Sequence, residues 1–195
     1  MSDNLQSRKQ RLIVGISGAS GIVYGVRMLQ LLQPTDIETH LVMSKPAELT
    51  LNYEMDLKLE AVHAMADVVH SAKNIGASIA SGSFPSIGMI VAPCSIRSMS
   101  EIATGITSTL LTRAADVVLK ERRKLVLMVR EAPLHTGHLR SMTALSEMGA
   151  IIAPPVPAFY NKPETIDDLV NHSVGRVLDL FDIETDVVKR WGVDK

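Results

Sequence analysis

Residues 9–25, KQRLIVGISGASGIVYG, decide how the rest of the chain is read. A basic, polar lead-in gives way to an apolar run, Leu12 to Ile16, that fits a buried strand. Gly15, Gly18 and Gly21 follow at a spacing of three, with Ser17 and Ser20 between them, and Tyr24, Val26 and Leu29 then open a helical pattern. This is a strand, a tight turn and the first turn of a helix. The unpaired N–H groups and partial positive charge of a helix N-terminus suit such a turn to an anion, usually a phosphate. The glycines let backbone approach a ligand with no Cβ in the way, and Ser17 and Ser20 offer hydroxyl donors. A strand-to-helix turn of any α/β protein has the same spelling, so the turn alone leaves both readings open.

Working outward, strand and helix alternate along the chain. The pattern predicts a helix over 20–33, with Ile22, Val26, Leu29 and Leu32 on one stripe and Pro34 ending it. A strand over 37–43 stops at Ser44-Lys45-Pro46, a helix start, and a helix over 47–52 follows. Residues 57–70 read as a second short helical piece, and the Gly/Ser-rich 74–86 as a loop. Then come a strand over 87–92, helices over 96–104 and 109–122, a strand over 125–130, a helix over 136–148 and a strand over 150–154. The last helix, 166–181, carries the stripe Ile166, Leu169, Val170, Val174, Val177, Leu178 and Phe181. The alternation predicts an α/β fold of three layers, Rossmann- or flavodoxin-like, with a mostly parallel sheet covered on both faces. At 195 residues the chain suits one domain over 11–195, preceded by a disordered tail over 1–10.

Bulk composition excludes several classes. Apolar residues make up 46%, enough for a core without staples. A net charge of −1 offers no basic field for nucleic acid or an acidic membrane. One cysteine, Cys94, excludes an internal disulfide and points to a reducing cytoplasm. The first ten residues hold no apolar signal-peptide segment, and no apolar run reaches the roughly 18 residues of a membrane span.

Ligands of open parallel sheets sit beyond the carboxyl ends of the strands. Those ends are Gly18-Ala19-Ser20, Ser44, Pro93-Cys94-Ser95, Arg130-Glu131 and Pro155 to Tyr160. A dinucleotide site wants a carboxylate after the second strand. Met43-Ser44-Lys45 has none, which argues against NAD and suits a phosphate or mononucleotide. Arg130 can fork onto a phosphate or a flavin carbonyl, or else pair with Glu131. The run Lys120 to Lys124 reads as ordinary solvated charge at a helix end. Cys94 reads as a buried small hydrophobe rather than a nucleophile, and His135 with His138 lacks the further ligands of a metal site. Trp191 is either a staple onto a neighbouring surface or a lid over a planar ligand.

Several segments together resemble one family: GISGASG, SKPAELTLNYE, APCSIRSMSEIATGI, RAADVVLKERRKLVLMVREAPLH, PAFYNKPETIDDLV and the closing RWG. They are similar to the flavin prenyltransferases, the UbiX/Pad-type proteins long labelled aromatic acid decarboxylases, over about residues 11–192. The resemblance implies binding of FMN and transfer of a dimethylallyl group, from dimethylallyl phosphate, to N5 and C6 of the reduced flavin, without a metal. It implies that the prenylated FMN passes to a UbiD-type decarboxylase. It places Gly18, Ala19, Ser20, Ser44, the turn Ser95, Ile96, Arg97 and Ser98, and Arg130 around FMN. Lys120, Tyr160 and Arg176 would hold the donor's phosphate, with Glu131 beside them. Glu54 would lie near the reactive flavin edge, with Asp56 as the alternative acid, and Trp191 would stack over the prenyl group. Glu54, Lys120, Glu131 and Trp191 are thus the expected catalytic set. A homo-oligomer, a dodecamer with active sites at subunit junctions, is implied as well.

The chain departs from the family at Cys94-Ser95-Ile96-Arg97-Ser98-Met99, where a CS-x-x-T-L form is common. A hydroxyl persists at Ser98 and a large cation stands at Arg97. Two other readings remain beside prenyl transfer: a non-catalytic FMN-binding subunit, and a direct aromatic acid decarboxylase. Against the latter, PCSIRSMS lacks the Asn that related cysteine-peptide decarboxylases carry after this strand.

Overall fold

The computed structural model describes residues 9–188, 190 and 192. Six parallel strands form one sheet in the order β3-β2-β1-β4-β5-β6. They are β1 Arg11–Ile16, β2 Glu38–Met43, β3 Val68–Ser71, β4 Gly88–Cys94, β5 Lys124–Val129 and β6 Ile151–Ile152. This is the order of a Rossmann sheet, with its switch point between β1 and β4. The helices are α1 Ile22–Leu32, α2 Lys45–Glu54, α3 Leu59–His63, α4 Ile96–Ala103, α5 Leu110–Lys120, α6 Thr136–Glu147 and α7 Ile166–Asp179.

The strands' period of two sorts their side chains into two cores. Leu12, Val14, Ile16, Leu41, Ile90, Val126 and Met128 pack with α1, α2 and α7. Ile13, Val42, Met89, Val91, Leu125 and Leu127 pack with α4, α5 and α6. Both faces are covered, so the strands read as continuous apolar runs rather than alternating ones. This is the three-layer α/β fold expected.

Three expectations are corrected. Residues 57–70 hold only a five-residue helix and then β3, an edge strand in register with β2 from His40↔Val68 to Met43↔Ser71. β3 is short and half exposed, so it has no continuous apolar run to betray it. The final strand shrinks to two residues, because Pro154 and Pro155 lack the N–H groups a ladder needs. Ile166, placed on the buried stripe of the last helix, is 77% exposed, while Val170, Val174, Val177 and Leu178 are buried as expected. Residues 1–8 of the expected disordered tail lie outside the described residues. The Gln10 carbonyl already accepts the Glu38 N–H at 2.8 Å.

Candidate functional site

The Gly/Ser turn after β1 is organised by Ser17, which is fully buried. Its hydroxyl donates to the Pro93 carbonyl at 2.9 Å and accepts the Ser95 N–H at 2.7 Å. Ser17 therefore clips the ends of β1 and β4 together across the switch point and has no hydroxyl to offer a ligand. The glycines answer to the protein as well. A Cβ on Gly18 would lie 2.3 Å from the Pro46 Cβ, so its bareness lets α2 start against the turn. Gly21 takes a φ of +98° as the N-cap of α1, a conformation L side chains rarely adopt.

The anion seat at the start of α1 is filled by the chain itself. One carboxylate oxygen of Glu54, at the end of α2, accepts the N–H groups of Gly21 at 2.8 Å and Ile22 at 3.0 Å. Burial pushes the Glu54 pKa upward, but hydrogen bonds from Ser20, Ile22 and Gly21, with the Arg130 charge nearby, outweigh it and hold the group below its usual value. Glu54 is thus an ionised helix cap. Arg130 extends past β5, its N–H on the Cys94 carbonyl at 3.0 Å and its charge acting on both Glu54 and Tyr24.

A pocket of about 510 Å³ opens beside this turn, over the ends of β1, β2, β4 and β5. Three helix N-termini converge on it, and each begins on a capping hydroxyl: Ser44 for α2, Ser95 for α4 and Thr109 for α5. Lys45, Lys73 and Arg97 add positive charge, and Glu101 and Glu131 are the lining acids. Arg97 and the Ser108 hydroxyl both engage Glu101 and keep its carboxyl low against the upward push of burial. Converging N-termini and cations suit a phosphate. The volume falls within the roughly 300–1,000 Å³ of ligand pockets. The residues present therefore fit a mononucleotide such as FMN. Of the expected flavin residues, Gly18, Ser44, Ser95, Ile96, Arg97 and Ser98 line this pocket, as does Glu131. Ala19, Ser20 and Arg130 are not among its lining residues; Ser20 and Arg130 act on Glu54 instead.

A second hollow, about 250 Å³, lies on the α7 face of the sheet, under the segment Pro154 to Ala158. His172 and Arg176 line it. The Tyr160 hydroxyl lies 3.2 Å from His172 Nε2. Arg176 pairs with Asp179 at 2.6 Å, and Arg190 forks onto the same carboxylate at 2.8 and 3.0 Å. Tyr160 thus touches His172, which lines the same hollow as Arg176 one helical turn further on. The two arginines against one aspartate leave a positive excess there.

Lys120 is not brought to either place within one chain. It ends α5 beside Glu121, against Gly82, where the strands begin. The 11-residue α5 separates it from the pocket by about 16 Å. Trp191 lies outside the described residues. Lys73, Glu101, Ser108, Thr109 and Thr112 line the pocket without having been singled out. The spelling Thr109-x-x-Thr112, a capping box, was the available signal for the last two. Cys94 is fully buried, and desolvation pushes its thiol up to about 12, so it is the inert residue expected.

An open Rossmann-type sheet with a phosphate-ready crevice at its switch point defines a nucleotide-binding flavoprotein, and residues 1–178 match the Flavoprotein family model. The relatives narrow the class. The chain is 60% identical over 185 residues to the flavin prenyltransferase UbiX of Escherichia coli K12, covering 93% of this chain and 98% of that one. A crystal structure of AnUbiX in complex with FMN and dimethylallyl pyrophosphate superposes with a TM-score of 0.94 at 48% identity, over 96% of this chain and all of that one. The dodecameric FMN-dependent UbiX-like decarboxylase of Escherichia coli O157:H7 gives a TM-score of 0.92 at 51% identity, over 93% and 99% of the two chains. The chain belongs to the UbiX flavin prenyltransferases.

Proposed function

We propose that this enzyme joins the dimethylallyl group of dimethylallyl phosphate to N5 and C6 of reduced FMN. The observation that carries the site assignment is the convergence of three capped helix N-termini, α2, α4 and α5, on one pocket at the sheet's switch point. They and Lys45 supply the charge for the flavin's phosphate, with Ser44 and Ser95 as nearby hydroxyls. Arg130, just past the end of β5, would contact the flavin's ring system. Reduced FMN supplies the electron-rich N5 and C6 that take up the dimethylallyl group.

The Tyr160 hydroxyl and the Arg176 guanidinium hold the donor's phosphate and stabilise the charge that grows on it as the allylic C–O bond breaks. Holding donor and acceptor together supplies much of the remaining acceleration. Glu131 lines the flavin pocket, and its carboxylate accepts only the neighbouring Ala132 N–H at 3.0 Å among the described residues. As the second bond forms, the neighbouring alkene carbon must gain a proton and C6 must lose one; Glu131 is placed to pass these protons, with the departing phosphate as a further acceptor. Glu54 is held ionised by three donors and a nearby arginine, so its part is electrostatic: it fixes the turn and faces Arg130. The Trp191 indole would face the allylic cation.

The separation of Lys120 from Tyr160 and Arg176 in one chain supports a site completed between copies, so that a second copy delivers Lys120. A homododecamer like that of the Escherichia coli O157:H7 relative meets this need. A UbiD-type decarboxylase would receive the product. Among the described residues no helix is long and apolar enough to cross a membrane. The free, buried Cys94 suits a reducing cytoplasm.

Anaerobic incubation with reduced FMN and dimethylallyl phosphate, followed by mass spectrometry of the released flavin, tests the activity. A gain of one prenyl unit is expected, and its loss in Arg176→Ala with FMN still bound. Unchanged flavin under these conditions, with FMN bound, would refute it.

A further inference from the structure

Among the described residues, His172 is the one imidazole lining the second hollow. It sits in the middle of α7, 7% exposed, one helical turn before Arg176. Its ring stands nearly perpendicular to that of Tyr160, at 83° with centroids 5.5 Å apart. Nε2 lies 3.2 Å from the Tyr160 hydroxyl. Nδ1 is buried and has no hydrogen-bond partner among the described residues. We infer that His172 is a positioning residue for the prenyl donor: its Nε2–H donates to the Tyr160 oxygen and turns the phenol's own hydrogen away from the imidazole, toward an anion beside Arg176. This rests on the reading of Tyr160 and Arg176 as the holders of the donor's phosphate.

The direction of that hydrogen bond follows from Nδ1. A neutral imidazole carries one proton, and it sits on one nitrogen or the other. On Nδ1 it would be a buried N–H with no acceptor, which costs the full desolvation of a donor. On Nε2 it meets the Tyr160 oxygen, and the bare Nδ1 lone pair is the cheaper orphan. The ring stays neutral: burial lowers its pKa, the Arg176 charge lowers it further, and Asp179 only partly opposes them. With the tautomer fixed, the Tyr160 oxygen is an acceptor toward His172 and the phenol remains a donor elsewhere. The opposite tautomer would turn the phenol's hydrogen inward and present only a lone pair to the phosphate, which repels it. Arg176 is held by Asp179 on the same helix, so α7 sets both the cation and, through His172, the hydroxyl.

Two measurements decide this. The solid-state 15N spectrum of histidine-labelled wild-type protein, with the His172 signals identified by their loss in His172→Gln, should show the proton on Nε2. A proton on Nδ1 overturns the inference and needs no variant to be active. In steady-state kinetics, His172→Leu should raise KM for dimethylallyl phosphate about tenfold, the worth of one well-directed hydrogen bond. FMN affinity should not change. His172→Gln keeps an N–H near the place of Nε2 and should restore KM to within about threefold of wild type. If Tyr160→Phe raises KM but His172→Leu does not, the positioning role falls and the phosphate site stands. If neither Tyr160→Phe nor Arg176→Ala affects KM, the phosphate site is elsewhere and the inference falls with it.

Discussion

Ser17→Ala tests whether the turn after β1 is a ligand contact or a clip. The hydroxyl is fully buried, donates to the Pro93 carbonyl at 2.9 Å and accepts the Ser95 N–H at 2.7 Å. Removing it leaves the carbonyl satisfied, because the Ser17 N–H also reaches it, at 3.1 Å. The Ser95 N–H loses its acceptor. An unsatisfied, largely buried donor costs about 1–3 kcal/mol, and the missing oxygen leaves too small a void to add much. The midpoint, about 2 kcal/mol, lowers Tm by roughly 4–8 °C in a chain of this size. Urea denaturation of FMN-free protein, at fixed protein concentration, should show a lower midpoint with an unchanged slope. FMN should then bind more weakly, because Ser95 caps α4 at the pocket. The reasoning is refuted if Ser17→Ala keeps full stability while losing FMN. That pattern belongs to a hydroxyl that touches the flavin.

Two further outcomes follow from the electrostatics. Glu54→Gln should cost about 1 kcal/mol at neutral pH, a charge-assisted cap discounted for its exposed setting. Because the folded pKa of Glu54 lies below its unfolded value, that contribution is present above the unfolded pKa of about 4.3 and lost as pH falls through the folded one. The stability gap between wild type and Glu54→Gln should therefore be flat near neutrality and close toward pH 3, and a gap independent of pH would count against the ionised cap. Cys94, its thiol pushed up to about 12 by burial, should resist iodoacetamide at pH 8 in the native protein and react once unfolded; rapid native labelling would contradict its burial.

Much of the fold was legible because its signals are local. The run Leu12 to Ile16, the turn and the stripe of α1 report strand, connection and helix within 20 residues. The parallel sheet followed from alternation alone. What escaped notice depends on distant partners. β3 is four residues paired at an edge, with His70 and Ser71 in place of an apolar run. The glycines were legible as a turn but not in purpose, because Pro46 beside Gly18, and the Ala92 carbonyl 2.3 Å from a Cβ on Gly25, are tertiary neighbours. The flavin-pocket residues fell together because they sit at strand ends, which order along the chain reveals. Lys120 did not, because it stands at the far end of α5, about 16 Å from the pocket. Tyr160 and Arg176 came from resemblance, and only the structure showed His172 between them and Arg190 sharing Asp179.

The Glu54 carboxylate on the first turn of α1 also bears on what the protein refuses to bind. In dinucleotide enzymes that turn receives a pyrophosphate. Here a free phosphate group would have to displace a tethered carboxylate whose local concentration is on the order of millimolar or more. It would also have to leave that carboxylate uncapped beside itself, two anions at one helix end. Nicotinamide dinucleotides and nucleoside triphosphates, however abundant, thus meet an occupied seat at α1, while the N-termini of α2, α4 and α5 stay open to a mononucleotide a few residues away. The start of α1 is in this sense closed to a pyrophosphate by competition within the chain.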